Sequence, residues 1–130
     1  MLNHSHLLVI ARSIHNPPST TEAAISWLRR LTELVNMKIF FGPEAKYCTA
    51  IDNEGVTGLV CIETSHASLH CWDSVDKPYI QCDLYSCMPF DVDVVLNHVA
   101  AFDPEEIEYM VVDRNSSLSV VEHKVITQKI

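Results

Sequence analysis

The chain has 130 residues, of which 48% are apolar, and its formal net charge is -8. This length allows one buried core and is too short for two, so we expect a single domain over residues 1–130. The excess of acidic residues argues against nucleic acid and anionic membranes, because both are bound by clustered Lys and Arg. The basic residues are scattered, with Arg29-Arg30 as the one adjacent pair. We therefore expect neither nucleic acid nor membrane as a partner.

Two features of the sequence bear on location. No run approaches the length needed to span a bilayer, and the first residues lack the basic region and cleavage site of a signal peptide. The cysteines form an odd set without regular spacing, which favours free thiols in a reducing compartment. We therefore expect a cytoplasmic protein. The cysteines are Cys48, Cys61, Cys71, Cys82 and Cys87.

The first elements in chain order are a strand and a helix. Residues 6–14 form an apolar run rich in branched side chains, which is typical of a buried strand. Ser19-Thr20-Thr21-Glu22 has the pattern of a capping box, with a hydroxyl that caps and a Glu three residues later. Apolar residues then recur at helical spacing and predict one buried stripe. The stripe consists of Ala24, Trp27, Leu28, Leu31, Leu34 and Val35.

The rest of the chain alternates strands and turns around a second helix. Residues 38–41 predict a short strand that ends at Gly42-Pro43, and the segment from there to Ile51 is ambiguous. We expect the tail from 114 to 130 to be extended. A turn at 52–55 leads into a predicted strand at 57–64, and a bend near His66 separates this strand from the next, which begins at 69 and reaches 72. A turn at 73–78 and a strand at 79–86 follow. The second helix is capped by Asp91 and stopped by Asp103-Pro104, and the last predicted strand covers 107–112.

This order of elements indicates the fold class. Clustered strands with two helices favour an α+β two-layer sandwich. We expect a mostly antiparallel sheet with both helices packed on one of its faces.

The segment richest in chemical groups is Glu63-Thr64-Ser65-His66-Ala67-Ser68-Leu69-His70-Cys71-Trp72. A serine is a weak nucleophile and needs a base within hydrogen-bond reach. His70 lies five residues after Ser65, and in a straight strand this odd spacing puts them on opposite faces. They meet only if residues 66–68 bend. From the residues alone, Ser65 also fits a turn, His70 a structural histidine, and Thr57 an ordinary strand threonine.

The sequence does not predict a metal site. His66, His70 and Cys71 are possible ligand types, and His4 and His6 lie two residues apart. However, the chain has neither a Cys-x-x-Cys pair nor a His-Glu-x-x-His motif. We expect His4 and His6 to be surface residues near the amino terminus, and we expect no metal.

Two motifs together resemble a known family. The run from Gly55 to Trp72 reads Gly-Val-Thr-Gly-Leu-Val-Cys-Ile-Glu-Thr-Ser-His-Ala-Ser-Leu-His-Cys-Trp, and Asp83-Leu84-Tyr85-Ser86-Cys87 follows. These runs resemble the short, bacterial-type S-adenosylmethionine decarboxylases, which are pyruvoyl-dependent proenzymes of polyamine (spermidine) biosynthesis. That family has a Gly-Val-Ser-Gly-like turn, then Glu-Ser-His-x-(Ser/Thr)-Ile-His-(Thr)-Trp, then Asp-x-Phe-(Thr/Ser)-Cys. The likeness extends over about residues 5–113, which we expect to form the core.

The resemblance implies roles for individual residues. Ser65 would attack the preceding carbonyl and become the pyruvoyl group after cleavage between Thr64 and Ser65, and this group would hold the substrate amine as a Schiff base. His70 and the hydroxyl of Thr57 would assist processing, and Cys87 would donate a proton after decarboxylation. The implied substrate-binding residues are Trp72, Asp73, Ile51 and Glu63.

Three departures from the family pattern leave alternatives open. Thr64 stands where the family has Glu, here displaced to Glu63, and its β-branch crowds the carbonyl to be attacked. Ile51 replaces an aromatic residue that stacks on adenine. Asp73 replaces a longer acid that holds the ribose. Two substrates therefore remain possible: S-adenosylmethionine, or a basic amino acid such as ornithine or arginine.

A third reading is a homologue that does not process and instead has a binding or regulatory role. The resemblance also implies an assembly: family members work as dimers with sites near the interface. We therefore expect a homodimer, of cleaved two-chain protomers if processing occurs.

Overall fold

A computed structural model of the chain describes residues 3–63 and 65–127. These residues form seven strands and two α-helices, and a short 3₁₀ turn comes directly after the second helix. The strands are β1 Ser5–Ile14, β2 Ile39–Cys48, β3 Gly55–Ile62, β4 Ser65–Trp72, β5 Tyr79–Ser86, β6 Pro104–Asp113 and β7 Ser119–Thr127, and the helices are α1 Thr21–Leu34 and α2 Val92–Val99.

All seven strands form one antiparallel sheet in the order β2-β3-β4-β5-β1-β6-β7. Side chains alternate across it, as the pleat requires. On one face, residues such as Leu7, Val60, Leu69 and Leu84 join the core with the buried stripes of both helices. We call this the helix face, and the opposite side the open face. The predicted α+β two-layer sandwich is confirmed.

The first helix begins one residue later than the predicted capping box implies. Thr20 is the N-cap, and its Oγ1 accepts a hydrogen bond from the backbone N–H of Ala23 at 3.1 Å. The capping-box prediction, with Ser19 as cap and Glu22 as its partner, is therefore wrong. Adjacent hydroxyl residues all suit a cap position, and the helix register selected by core packing decides between them.

The second strand is longer than predicted. Instead of ending at Gly42-Pro43, β2 continues to Cys48 beside β3, with two register shifts between Ile39 and Glu44. These irregularities let the strand pass Pro43, which has no N–H to give to the ladder. The edge position of β2 makes this possible, because one side of the strand needs no partner.

The segment after β6 forms the opposite edge of the sheet. Residues 119–127 pair with β6 as β7, so the expectation of an extended tail is confirmed there. Residues 128–130 lie outside the described part of the chain. Neither described helix is long and apolar enough to cross a bilayer.

Trp27 on α1 and His98 on α2 hold the two helices together. Their ring centroids lie 4.4 Å apart with planes 9° apart. Trp27 Nε1 donates to the His98 carbonyl at 3.1 Å, and His98 Nε2 donates to the Trp27 carbonyl at 2.9 Å. Burial of the imidazole, aided by the charge of Arg30, lowers the pKa of His98 despite the hydrogen bond to Trp27.

Gly55 begins β3 with φ of +152°, and a Cβ there would collide with the carbonyl oxygen of Cys71 on β4. We expect Gly55→Ala to lower the free energy of unfolding by about 2–4 kcal/mol, from overpacking and backbone strain together. Gly58→Ala is the matched control: the one short contact of its Cβ is with the flexible end of Leu28 at 2.9 Å, and its other neighbours lie at an ordinary 3.5 Å. A loss of about 1 kcal/mol is expected. Urea unfolding of both variants measures the difference, and equal losses would contradict it.

The lowered pKa of His98 makes stability depend on pH. The unfolded chain, with an ordinary imidazole pKa of 6.5, takes up the proton before the folded chain does, so protonation favours unfolding. We expect the free energy of unfolding to fall between pH 7 and pH 5, and to fall less in His98→Gln. His15→Gln, which removes an exposed imidazole, serves as control. Identical pH slopes for parent and His98→Gln would contradict the assignment.

Candidate active site

Ser65 is the first residue of β4 and pairs with Ile62, the last residue of β3. Its side chain is buried on the helix face, with 9% of its surface exposed. The hydroxyl donates to Ser86 Oγ at 3.1 Å across the β4–β5 ladder. Ser65 therefore lies where a hairpin loop meets the sheet, with its hydroxyl held in one direction.

Ser86 is fully buried and orients Ser65. Its Oγ accepts from the backbone N–H of Met88 at 2.9 Å and points its own proton toward Met37 Sδ at 3.7 Å. A neutral hydroxyl is a poor base, so this contact positions Ser65 without activating it.

The predicted bend between Ser65 and His70 is wrong. β4 runs without interruption from Ser65 to Trp72, and residues 66–68 keep their partners on both sides. Outward-facing His66 and Ser68 fit an open sheet face and require no break. Ser65 and His70 consequently lie on opposite faces, roughly 16 Å apart along the strand at about 3.3 Å per residue.

His70 instead contacts Thr57. The two are directly opposite on β4 and β3, and Thr57 Oγ1 lies 3.2 Å from His70 Nδ1. The structure thus brings together the two residues for which a role in processing was predicted, on the open face. His66, Ser68 and His70 share that face, as alternation along an unbroken strand requires.

Trp72 stacks on Tyr79 at the far end of β4. The ring centroids are 4.9 Å apart with planes 16° apart, and Trp72 Nε1 donates to Asn53 Oδ1 at 2.8 Å. His70 lies beside the indole, with centroids 6.0 Å apart. This gives a fixed aromatic surface next to the Thr57–His70 pair.

Two other predicted substrate-binding residues belong to this end of the sheet. Asp73 follows Trp72 and accepts a hydrogen bond from the Tyr47 hydroxyl at 2.9 Å. Ile51 lies in the turn before β3 with 86% of its surface exposed. It offers an apolar contact but takes no part in the aromatic stack.

The site residues therefore fall into two groups at opposite ends of the sheet. The serine end contains Ser65, Ser86 and Cys87, and the aromatic end contains Thr57, His70, Trp72, Tyr79 and Asp73. Seven strand positions separate Ser65 from Trp72, or roughly 23 Å at about 3.3 Å per residue. One small substrate cannot contact both ends of the same chain.

Cys87 follows β5 and is buried. Its carbonyl accepts from the Asn3 backbone N–H at 3.0 Å, which ties the start of the chain to the serine end. Glu63 precedes the start of β4, with its backbone N–H bonded to the Lys38 carbonyl at 3.0 Å. Thr64, the residue predicted to precede the cleavage, lies outside the described residues.

Two other cysteines are inert. Burial, with a smaller contribution from Asp73, raises the pKa of Cys71 to about 12. Burial also raises the pKa of Cys82, with a smaller contribution from Asp83. Both thiols stay protonated at neutral pH and act as small core side chains.

The open face carries a polar cluster that the motif analysis missed. His6 Nε2 lies 2.6 Å from Asp83 Oδ2, and Ser68 Oγ donates to Asp83 Oδ1. His66 completes a group whose possible ligand atoms lie within 4.8 Å of one another. His6 is thus half-buried and bonded, and so is His4, whose Nδ1 lies 2.7 Å from the Tyr85 hydroxyl. Neither is the surface residue that was expected.

The hydrogen bonds in this cluster favour the ionised form of Asp83. Burial raises the pKa of Asp83, but the hydrogen bonds from His6 and Ser68 and the nearby imidazoles outweigh it, so the pKa falls below its usual value. A groove of about 450 Å³ continues from Asp83 past Ser68 and His70 toward Glu108 and His123. The open face is therefore concave between the two ends, and apolar side chains such as Leu8 and Met110 line the groove together with these polar groups.

The sequence patterns could not reveal several of these partners. Ser86, Tyr79, Tyr47, His6 and Asp83 act only through residues on neighbouring strands. Their contacts depend on the strand order, in particular on β5 lying between β4 and β1. The one local signal was alternation, which put His6 and Asp83 each on an outward-facing position.

Comparison with known proteins identifies a family. The profile of S-adenosylmethionine decarboxylase matches residues 13–115. No curated protein sequence matches the chain.

Solved structures with similar folds are distant in sequence. A Trypanosoma brucei AdoMetDC-delta26 monomer superposes with a TM-score of 0.54 at 11% identity, over 83% of this chain and 45% of that chain. The present chain thus spans less than half the length of the trypanosomal protein. A phage SAM lyase in complex with S-methyl-5'-thioadenosine gives a TM-score of 0.43 at 11% identity, over 97% of this chain and 90% of that chain.

Proposed function

The chain belongs to the S-adenosylmethionine decarboxylase family, and from this premise we propose that it is a self-processing decarboxylase of S-adenosylmethionine in polyamine synthesis. Its pyruvoyl group would derive from Ser65. The observation that carries this proposal is the position of Ser65 at the first residue of β4, with its hydroxyl already fixed by Ser86.

This position suits a chain cut. A break before Ser65 falls between two strands that are each paired on both sides, β3 with β2 and β4, and β4 with β3 and β5. Both new ends therefore stay anchored in the sheet, and the core does not have to open. Before cleavage, the peptide bond to residue 64 helps to hold the side chain of residue 65 on the helix face. Cleavage removes this restraint.

The residues present fit a group made from the chain itself. The Ser65 oxygen would attack the carbonyl of residue 64, and the peptide C–N bond between residues 64 and 65 would break to give an ester. Loss of the residue 65 Cα proton and breakage of its Cβ–O bond would then release residue 64 as a carboxylate and leave a dehydroalanine. Water would replace the nitrogen of that residue, which leaves as ammonia, and the ketone would remain. A pyruvoyl ketone supplies what side chains lack, an electron sink for the carbanion left when carbon dioxide departs. By this route the serine oxygen leaves as part of the carboxylate of residue 64.

His70 of the same chain cannot be the base that takes the proton from the Ser65 hydroxyl. Ser65 and His70 lie on opposite faces and roughly 16 Å apart at about 3.3 Å per residue. We propose that a second copy supplies this base. Two copies that pair through their open faces with opposite strand directions bring the serine end of one against the aromatic end of the other, and Ser65, as the first residue of β4, turns from the helix face toward the partner when it reacts. Each dimer then contains two complete sites.

The aromatic end favours a nucleoside. The stacked pair Trp72–Tyr79 presents a flat apolar surface, and Asp73, held by Tyr47, offers a carboxylate for ribose hydroxyls. Ornithine and arginine have no ring for this surface to bind. We therefore place S-adenosylmethionine first and the basic amino acids second.

Cys87 is the proposed proton donor to the substrate carbon. It is buried directly after Ser86, which contacts Ser65, so it belongs to the same end as the future ketone. A thiol excluded from water can deliver a proton to one position and keep solvent from competing.

One observation favours the alternative of a non-processing homologue with a binding role. The Ser65 proton goes to a neutral hydroxyl, and the adjacent position 64 is a threonine where the family has Glu. In that case the open face and its groove would be a ligand or partner surface.

Processing predicts a change in mass. Purified parent chain should yield pieces of 64 and 66 residues, the second with a pyruvoyl end. Ser65→Ala should stay whole, because the attacking oxygen is gone. Cys87→Ala should split normally yet lose about 100-fold or more in turnover, with Cys48→Ala as the unaffected control. A parent chain that stays whole after long incubation would support the binding role instead.

Sharing of residues between copies predicts complementation. Ser65→Ala and His70→Ala chains should each remain uncut when expressed alone. Co-expressed with different tags, they should yield cut His70→Ala chains, because the partner supplies His70. Mass spectrometry of the separated chains checks this. If His70→Ala splits alone, His70 is not needed, and if the mixture stays whole, the site is not shared.

Substrate choice follows from the aromatic end. Release of labelled carbon dioxide should be faster from S-adenosylmethionine than from ornithine or arginine. Tyr79→Ala should raise the KM for S-adenosylmethionine by about tenfold, the scale of one lost stacking contact. Faster release from ornithine or arginine by the parent chain would reverse the assignment.

A further inference from the structure

Three possible metal ligands come from three neighbouring strands on the open face. They are His6 of β1, Asp83 of β5 and His66 of β4, and their ligand atoms all lie within 4.8 Å of one another. The cluster is separate from the Thr57–His70 pair and from the aromatic end. It plays no part in the processing or decarboxylation steps proposed above.

The register explains why these side chains converge. His66 and His6 both pair with Tyr85, one from each side, because β5 lies between β4 and β1. Their backbones are roughly 10 Å apart, at about 4.8 Å per strand spacing. Asp83 lies two residues from Tyr85 on the same face, and the two imidazoles reach toward it from either side.

We propose that His6, His66 and Asp83 bind one divalent transition-metal ion of the zinc class, with further positions left to water. Two imidazole nitrogens and one carboxylate oxygen are a donor set for Zn²⁺, Fe²⁺ or Co²⁺. Mg²⁺ and Ca²⁺ prefer sites built from oxygen alone. All three ligands project from paired strands, which hold them more rigidly than loops would.

An outer hydrogen bond supports this arrangement. Ser68 Oγ donates to Asp83 Oδ1, which leaves Oδ2 directed at His6. Such partners fix the orientation of a ligating carboxylate.

Arg114 opposes binding and gives the proposal an unusual test. Its Nη1 lies 3.2 Å from His6 Nδ1, and its guanidinium lies 4.1 Å from the centroid of the Tyr85 ring. Because Arg can only donate, His6 Nδ1 accepts, and the His6 proton is on Nε2, where it bonds Asp83. A metal ion at Nε2 takes the place of this proton, which returns to solvent or to Nδ1, and the Arg114 contact loosens.

The competing explanation is a structural His6–Asp83 ion pair that binds no metal. The two readings differ in the effect of Arg114. Under the metal proposal, Arg114→Gln removes a neighbouring positive charge and a competing hydrogen bond, so the affinity for a cation rises. Under the structural reading, no variant of these residues affects metal affinity.

In the experiment, the full chain is first treated with a chelator and then titrated with Co²⁺ or with Mg²⁺. Calorimetry and visible absorption measure the binding of the metal ion. Parent and Ser65→Ala are compared, so that the result does not depend on processing. We expect one Co²⁺ per chain, no thiolate charge-transfer band and no binding of Mg²⁺. His66→Gln and Asp83→Asn should each weaken Co²⁺ binding by more than about tenfold, the scale on which even outer partners act.

Two control variants complete the design. His123→Gln should leave the affinity unchanged, because His123 pairs with Glu108 outside the cluster, and Arg114→Gln should bind more tightly than the parent. His66 is exposed, so His66→Gln is expected to fold, and circular dichroism checks this. Absence of Co²⁺ binding, a thiolate band, or affinity unchanged in His66→Gln and Asp83→Asn would overturn the proposal.

Discussion

The unbroken pairing of β4 is the constraint on which the rest of the structure depends. Held by β3 on one side and β5 on the other, the strand cannot bend, so its side chains alternate from Ser65 to Trp72. Bending it would release backbone hydrogen bonds in the middle of the sheet, which is costly when they cannot reach water. This alternation puts Ser65 among core residues and His66, Ser68 and His70 on the open face.

The same constraint divides the chemistry. A nucleophile at one end and a histidine at the other cannot meet in one chain, yet each is well positioned locally: Ser65 by Ser86, and His70 by Thr57. The open face, which carries neither of the described helices, can be covered by another copy, and under the proposed function this pairing completes the sites. Under the proposed function, activity is a property of the assembly.

The open face also carries several ion pairs between basic and acidic side chains. Arg12 binds Glu106 and Glu108 at 2.7 Å each, and His123 shares Glu108. Asp83 has His6 and Ser68. These groups satisfy one another in pairs and lie along a groove of mixed polar and apolar lining between the two ends. Such a surface is suited to a charged small molecule or ion, whereas the helix face holds the core and, at one end, the Ser65 hydroxyl.

Local patterns in the sequence were sufficient for the α+β class, for the stripe of α1, for the limits of β5 and for the face shared by His66, Ser68 and His70, because pleat and helix period are properties of neighbouring residues. They misjudged the cap at Ser19, the end of β2 and the bend in β4, where pairing with other strands overrides local preference. The motifs named Ser65, Thr57, His70 and Cys87, but only the tertiary structure decided that Ser65 and His70 are apart and that His6 meets Asp83. Those distances follow from strand order, which brings together residues 77 positions apart and leaves no trace in local spacing.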